Sequence, residues 1–433
     1  MSVHLTTPST HTATPAGPPE GRSRRAVAAA SIGTVLEWYD FFLYGTAAAL
    51  VFPTLFFTRE EPLTAILLSF AVYATGFIAR PIGGLVSAHF GDRIGRRRTL
   101  LATLFVMGTA TALIGVLPTY EQIGVAAPVL LVVLRFAQGA AAGGEWSGAA
   151  LLALESVGTR RAVAGALVTS GLYVGLILGS LAFTIVAAAV GDEGLLAWGW
   201  RLPFLAGGAL VLLGLYLRTR VAETPEFDRV VEGGDRERAP LRAALVAPRN
   251  VFAVFLVRFG QNVSFYVVSV FCLGYATTVL GMPKTVTLTA LMVAAAVAAA
   301  LCPVWALLIR RAAWVTGGAL AALAVLAAPL FVVLDTRDAT LVVAVLTLMI
   351  GIVNAAADGV QPAWLASLFD PAVRYSGMTI GREAAGIVGG GLAPLAATAM
   401  VAATGHWWPV ATLMALAALV GAVGAVIARP VTR

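Results

Sequence analysis

What most limits the folds open to this chain is the recurrence of apolar segments about twenty residues long or longer. Roughly twelve follow one another, over 26–52, 63–88, 98–118, 125–152, 161–190, 199–219, 250–280, 285–309, 312–334, 340–368, 375–403 and 407–428. About 20 predominantly apolar residues are needed for a helix to cross the ~30 Å hydrocarbon layer of a bilayer. Within that layer every backbone polar group must be satisfied, which leaves helices or closed barrels. Unbroken apolar runs of this length select helices. Of the 433 residues, 59% are hydrophobic and 12% charged, against about 25% charged in soluble domains. The expected fold is an all-α integral membrane protein of about twelve transmembrane helices.

The net charge of +7 invites a nucleic-acid reading, but the basic residues lie in short connections between apolar spans. That is the positive-inside pattern. The tail before the first span, the 2–3 loop (Arg93, Arg96, Arg97, Arg98), the 4–5 loop (Arg160, Arg161) and the 8–9 loop (Arg310, Arg311) are basic, whereas the alternate loops hold little beyond Arg59, Lys284 and Arg337. Both termini are therefore expected in the cytoplasm, with the chain in the cell membrane and no nucleic acid as partner. The interval 220–249 is the longest hydrophilic one and divides the spans equally, which suggests two pseudo-symmetric six-helix halves related as parallel repeats. The expected layout is a disordered cytoplasmic tail (1–25) without the apolar centre of a signal peptide, an N-terminal half (26–219), a cytoplasmic connector (220–249), a C-terminal half (250–428) and a short tail (429–433). Cys272 and Cys302 lie in apolar spans, and the four histidines sit in the tail or near helix ends. No metal site, cofactor or enzymatic nucleophile is expected.

The first span reads GTVLEWYDFFLYG over 33–45 and carries Glu37 and Asp40. An ionisable residue near the bilayer centre costs roughly 2.5–3.5 kcal/mol on insertion scales, so an acid there implies a partner, a wet cavity or a bound proton. Glu37, Asp40 and Tyr44 fall near one helix face, read here as the wall of an aqueous path. The alternative is a buried structural ion pair. Helix 4 carries Arg135, Gln138, Ala142 and Glu145 as one stripe. Because helices 1 and 4 run oppositely, Arg135 and Glu37 fall at similar depth, about 15 Å from opposite surfaces. Arg135 with Glu37 or Asp40 is the expected proton-coupling site. Glu145 lies nearer the cytoplasm and is expected to act as a gate partner of Arg93 or Arg97. In the second half, helix 7 offers Arg258, Gln261, Asn262 and Tyr266, which with Tyr39, Tyr44, Arg135 and Gln138 make the expected substrate site. Adjacent Arg382 and Glu383 in helix 11 are expected to face different ways, so that at least one seeks another partner.

In the 2–3 loop, residues 80–100 read RPIGGLVSAHFGDRIGRRRTL. The spacing of Gly91, Asp92, Arg93, Gly95, Arg96 and Arg97 resembles the cytoplasmic loop signature of the major facilitator superfamily. Its glycines would make a tight turn and Asp92 a salt-bridge latch with the arginines. Arg135, Gly139 and Gly143 resemble the superfamily's helix-4 motif. GTVLEWYDFFLYG, RFAQGAAAGGEW, WGWRLPFLAGG followed by ETPEF, and RYSGMTIGREAAGIVGGGLAPL are similar to the metabolite:proton symporter family. The resemblance spans nearly the whole chain. It implies the major facilitator fold, a monomer, and import of a small polar metabolite, an organic acid or zwitterionic osmolyte, with a proton. Between helices 8 and 9 the chain reads VWALLIRRAAW, without the acid and glycines the family repeats there; Asp358 is a candidate substitute acid. A proton-driven exporter of a drug or secondary metabolite would use the same motifs.

Overall fold

A computed structural model describes residues 20–431, apart from 95, 144–148, 152, 155–156, 158–159, 221–246 and 372; residues 20–26, 87–94, 96–100 and 212–220 are described by backbone alone. Twelve long helices run through the described residues. The first six are α1 (Glu20–Leu50), α2 (Pro62–Ile94), α3 (Arg96–Gly115), α4 (Ala126–Ala142), α5 (Arg161–Gly194) and α6 (Arg201–Arg220). The second six are α7 (Pro248–Val279), α8 (Lys284–Leu308), α9 (Ala312–Thr336), α10 (Ala339–Ser367), α11 (Arg374–Thr404) and α12 (Trp408–Ile427). Eight are long and apolar enough to cross a membrane, and α3, α4 and α6 contribute shorter apolar stretches. Two short helices, Phe52–Phe56 and Tyr120–Ile123, lie in the connections after α1 and α3.

The apolar–polar arrangement is that of a protein in lipid. Leu85, Val133, Ile185, Trp314, Val325 and Val426 point outward, while the buried set includes four arginines and four carboxylates among the described residues. Exposed apolar faces around a charged interior fit a hydrocarbon surround and a functional centre.

Within the first half α1 packs on α5, α2 on α4 and α3 on α6; within the second α7 and α9 pack on α12 and α8 on α10. The halves meet through α5 against α8 and α2 against α11. Small residues set the closest approaches, since apolar packing in lipid gains most from backbone proximity. A Cβ on Gly83 would lie 1.8 Å from the Ala140 carbonyl oxygen, and one on Gly139 2.0 Å from that of Gly76. α2 and α4 therefore touch backbone to backbone. Asp338 caps α10 by accepting from the Thr340 and Leu341 amides at 2.8 and 3.0 Å.

Three departures from the sequence reading concern boundaries. α1 begins at Glu20, so 20–25 continue the first helix and do not belong to a tail; 1–19 lie outside the described residues. α2 runs on to Ile94 and α3 starts at Arg96. Gly91 and Asp92 therefore continue a helix and do not make the expected tight turn; residue 95 lies outside the described set. The side chains of Asp92, Arg93, Arg96 and Arg97, and all of Gly95 and Glu145, also fall outside it, so the cytoplasmic gate has no described geometry. The hydrophilic interval is bounded by Arg220 and Pro248.

Wide π-helical turns interrupt the second half at Val267–Phe271, Thr347–Asn354 and Gly386–Gly391. Such turns are rare and concentrate at functional sites. These three adjoin buried polar residues, Tyr266 before the first, Asn354 at the end of the second, Arg382 and Glu383 before the third; a fourth, Tyr275–Val279, adjoins none of the polar clusters.

Candidate functional site

The buried polar groups form three clusters. The first joins α1, α3 and α4. Asp40 accepts from the Thr111 hydroxyl and from Gln138 Nε2, at 3.1 and 3.0 Å to its two oxygens. The Gln138 carbonyl oxygen receives a long 3.4 Å bond from Arg135. Asp40 and Arg135 thus communicate through one amide, and no ion pair within 4 Å joins them among the described residues. The Arg135 guanidinium is instead boxed by rings, with its carbon 4.4 Å from the Phe41 centroid, 4.2 Å from Tyr44 and 5.0 Å from Tyr73. Cation–π contacts in a desolvated box are worth about 2 kcal/mol or more. Arg135 is fully buried, and its Nε and one terminal nitrogen have no hydrogen-bond partner, nor do the Tyr44 and Tyr73 hydroxyls. Gly76 makes room for it: a Cβ there would stand 2.6 Å from Arg135 Nε.

The second cluster crosses the interface between halves. Arg80 of α2 donates to Glu37 of α1 and to Glu383 of α11, both at 2.9 Å, and Arg382 pairs with Glu383 at 2.7 Å. All four are buried. The chain of alternating charge Glu37–Arg80–Glu383–Arg382 is neutral, and each half owns one acid and one arginine of it.

The third cluster centres on Asp358 of α10. One carboxylate oxygen accepts from Arg258 at 3.2 Å and Gln261 at 2.8 Å; the other accepts from Tyr173 at 2.6 Å and Asn354 at 3.0 Å. Arg258 also donates to Gln261, Gln361 and Asn262. Tyr173 belongs to α5, so this cluster ties the halves as well. Beside it lies a small void of about 10 Å³ lined by Trp38, Leu172, Phe265, Tyr266, Arg258, Gln261, Asn262, Asn354 and Asp358. Trp38 Nε1, Arg258 Nε and Asn354 Oδ1 are buried without partners. That is about the room one water needs, far below the roughly 300 Å³ and upward of ligand pockets, so the halves are drawn close around this space.

Of the residues singled out from sequence, Asp40, Arg135, Gln138 and Tyr44 meet in the first cluster, and Arg258, Gln261, Asn262 and Tyr266 meet beside the void. Glu37 does not join them: it turns to Arg80, because α2 places a guanidinium nearer to it than α4 does. Tyr39 also turns away, donating to the Pro203 carbonyl of α6 at 2.9 Å. Arg382 and Glu383 bond to each other despite adjacency, since long flexible side chains on neighbouring positions can reach around a helix, and Glu383 also takes the further partner expected of the pair, Arg80. Asp358 belongs to the interior cluster and not to a cytoplasmic latch. Sequence reasoning gave no role to Arg80, Tyr73, Thr111 or Tyr173, and gave Arg382 or Glu383 only an unnamed further partner. Arg80 and Glu383 carried a signal, an ionisable group inside an apolar span. So did the echo of RFAQ at 135–138 in RFGQ at 258–261. The tyrosines and Thr111 carried none.

Comparison with known proteins agrees with this architecture. Residues 30–381 match the Major Facilitator Superfamily. The shikimate transporter of Escherichia coli is 36% identical over 415 residues, covering 94% of each chain. The proline/betaine transporter of the same organism is 31% identical over 415 residues, 92% of this chain and 82% of the relative. Among solved structures, the E. coli xylose transporter XylE in a partially occluded inward-open conformation superimposes with a TM-score of 0.71 at 17% identity, covering 94% and 97% of the two chains. That likeness speaks for the fold of two six-helix halves. This chain is a multi-pass membrane transporter, not an enzyme, and it belongs to the Major Facilitator Superfamily.

Proposed function

We propose that the protein imports a small polar metabolite together with a proton by alternating access. The reading is carried by one observation: Asp40, buried in the middle of α1, is held by neutral hydrogen-bond donors and is one amide away from an arginine whose donors are not all used. An acid in that setting accepts a proton without breaking an ion pair, and movement of Arg135 toward or away from it changes its proton affinity. Each inward proton contributes about 2.3 kcal/mol per 100 mV of membrane potential when its charge is not offset. The relatives' names point to small polar cargo, shikimate and proline or betaine.

The two bodies that rock are 26–219 and 250–428, joined by 220–249, with both termini and the α2–α3 connection in the cytoplasm as the basic loops indicate. The working unit is a monomer in the cell membrane. Arg135, boxed by Tyr44 and Tyr73, receives the substrate's polar or anionic group. Arg258, Gln261, Asn262 and Tyr266 face the remainder once the halves part and the small void beside Asp358 widens. Gly91, Asp92, Arg93, Gly95, Arg96, Arg97 and Glu145 form the cytoplasmic gate.

The deciding experiment is uptake into proteoliposomes with and without a pH gradient, for the native chain and Asp40→Asn. The variant should lose concentrative uptake while still exchanging substrate across the membrane. Full accumulation by Asp40→Asn would remove Asp40 from proton coupling.

A further inference from the structure

The buried charges of the described residues balance, four arginines against four carboxylates, and their pairing is uneven in an informative way. Asp358 meets Arg258 at 3.2 Å. Glu37 and Glu383 meet Arg80, and Glu383 also meets Arg382. That leaves one acid, Asp40, and one arginine, Arg135, without an ion-pair partner within 4 Å among the described residues. They are the two ends of the Gln138 bridge. An uncompensated charge in a low-dielectric interior is costly, whereas a paired one is tolerated. A load held between Asp40 and Arg135 therefore costs least when it leaves the balance of these two charges unchanged.

We infer that each cycle carries one singly charged anion and one proton, with no net charge moved. The inference rests on the proton-coupled reading above. The anion takes the unused donors of Arg135 in the Phe41, Tyr44 and Tyr73 box, and the proton neutralises Asp40. A zwitterion with the same proton leaves one positive charge in excess, and a dianion leaves one negative charge. Taking a second proton would require protonating an acid already in an ion pair, with loss of that pair. Arg258, which lines the void beside Asp358, does not serve as a second anion site because Asp358 already meets its charge.

The test uses the full chain in detergent, weakly buffered, with a pH indicator. Shikimate serves as the singly charged probe, succinate as the doubly charged one and glycine betaine as the zwitterion. Shikimate should bind best and draw about one proton from solution per molecule bound. In Asp40→Asn, whose core carries one positive charge in excess, the same anion should bind with no proton taken up. In proteoliposomes of the native chain, shikimate uptake should follow an imposed pH gradient and stay unchanged under a potassium-diffusion potential set with valinomycin. Accumulation driven by that potential, preference for succinate or betaine, or proton uptake persisting in Asp40→Asn would each overturn the charge-balance inference while leaving proton coupling in place. Uptake indifferent to both gradients would overturn this inference and the proton-coupled reading together. The native-chain measurements decide the matter even if Asp40→Asn fails to fold.

Discussion

The neutral chain Glu37–Arg80–Glu383–Arg382 makes a specific statement about conformational equilibrium. When the halves part at this level, Arg80 can keep Glu37 within the first half and Arg382 can keep Glu383 within the second. No charge of this chain is stranded, and among the described contacts linking the four residues the one lost is the 2.9 Å bond from Arg80 to Glu383. A hydrogen bond to a charged group contributes about 1.5–3 kcal/mol, so its loss should change the closed-to-open ratio on the α2–α3 side roughly 10- to 150-fold, at 1.4 kcal/mol per factor of ten. The clean perturbation is the double change Arg382→Leu, Glu383→Leu. It deletes one charge of each sign and leaves Arg80–Glu37 intact, whereas Glu383→Leu alone would leave an arginine in excess. The readout is the distance distribution between spin labels at Leu85 on α2 and Tyr375 on α11, both exposed on the two sides of this contact. Cys272 and Cys302 are buried and stay in place. The long-distance population should grow by the factor above. A control is Lys284→Gln, which breaks the cross-half pair with Asp192 at 3.4 Å. Asp192 is exposed there, and exposed pairs contribute about 0–1 kcal/mol, so the control should move the distribution little. An unchanged Leu85–Tyr375 distribution in the double variant would refute the latch.

Two further outcomes follow from local geometry. Gly76→Ala places a methyl 2.6 Å from Arg135 Nε and forces the guanidinium off its rings; losing one to two cation–π contacts of about 0.5–2 kcal/mol each should raise the KM for uptake roughly tenfold while the protein still folds, and an unchanged KM would show the box to be idle. Asp338→Ala removes the two amide bonds that cap α10, a loss of about 1 kcal/mol, which should lower the melting temperature in detergent slightly and leave transport kinetics as they were.

The helical framework was legible because spans are written in composition: twelve apolar runs became twelve helices, and the long apolar interval 285–334 divides at Arg310 and Arg311 as the charges indicated. The ends were less legible. Nothing in the apolar pattern says that α2 continues through Gly91 to Ile94, because a glycine in a helix that packs closely reads the same as one in a turn. In the site, residue type identified most members and depth identified none of the pairings. Arg135 and Glu37 fall at similar depth, yet α2 brings Arg80 between α1 and α11 and takes Glu37 for itself. Pairing is a property of three helices at once, whereas periodicity along one helix sees only its own faces. Tyr73, Thr111 and Tyr173 illustrate the limit, since a tyrosine or threonine in an apolar span carries no mark of whether it boxes a cation, bonds an acid or merely packs.

The repeat explains why the two halves are not interchangeable. In the first half the acid is on the first helix and Arg-Phe-x-Gln on the fourth; in the second half Arg-Phe-x-Gln is on the first helix, α7, and the acid on the fourth, α10. The same residue types occupy corresponding helices with their places exchanged. The outcome differs in one respect. Asp358 reaches Arg258 directly, within a cluster that fills both carboxylate oxygens. Asp40 stops at Gln138, and the bond from Gln138 to Arg135 is stretched to 3.4 Å. A direct pair in a dry interior resists change, because separating it exposes two charges. A pair held apart by a neutral amide does not, because each member already rests on other contacts, hydrogen bonds for the acid and aromatic rings for the arginine. On the proposed mechanism the first half is where charge is exchanged, and the second is where it is fixed. Replacing Gln138 by Leu tests this: without the bridge, proton-driven accumulation should fall while the Asp358 cluster and the fold stay intact. Native coupling in Gln138→Leu would show that the amide plays no part in joining the two ends.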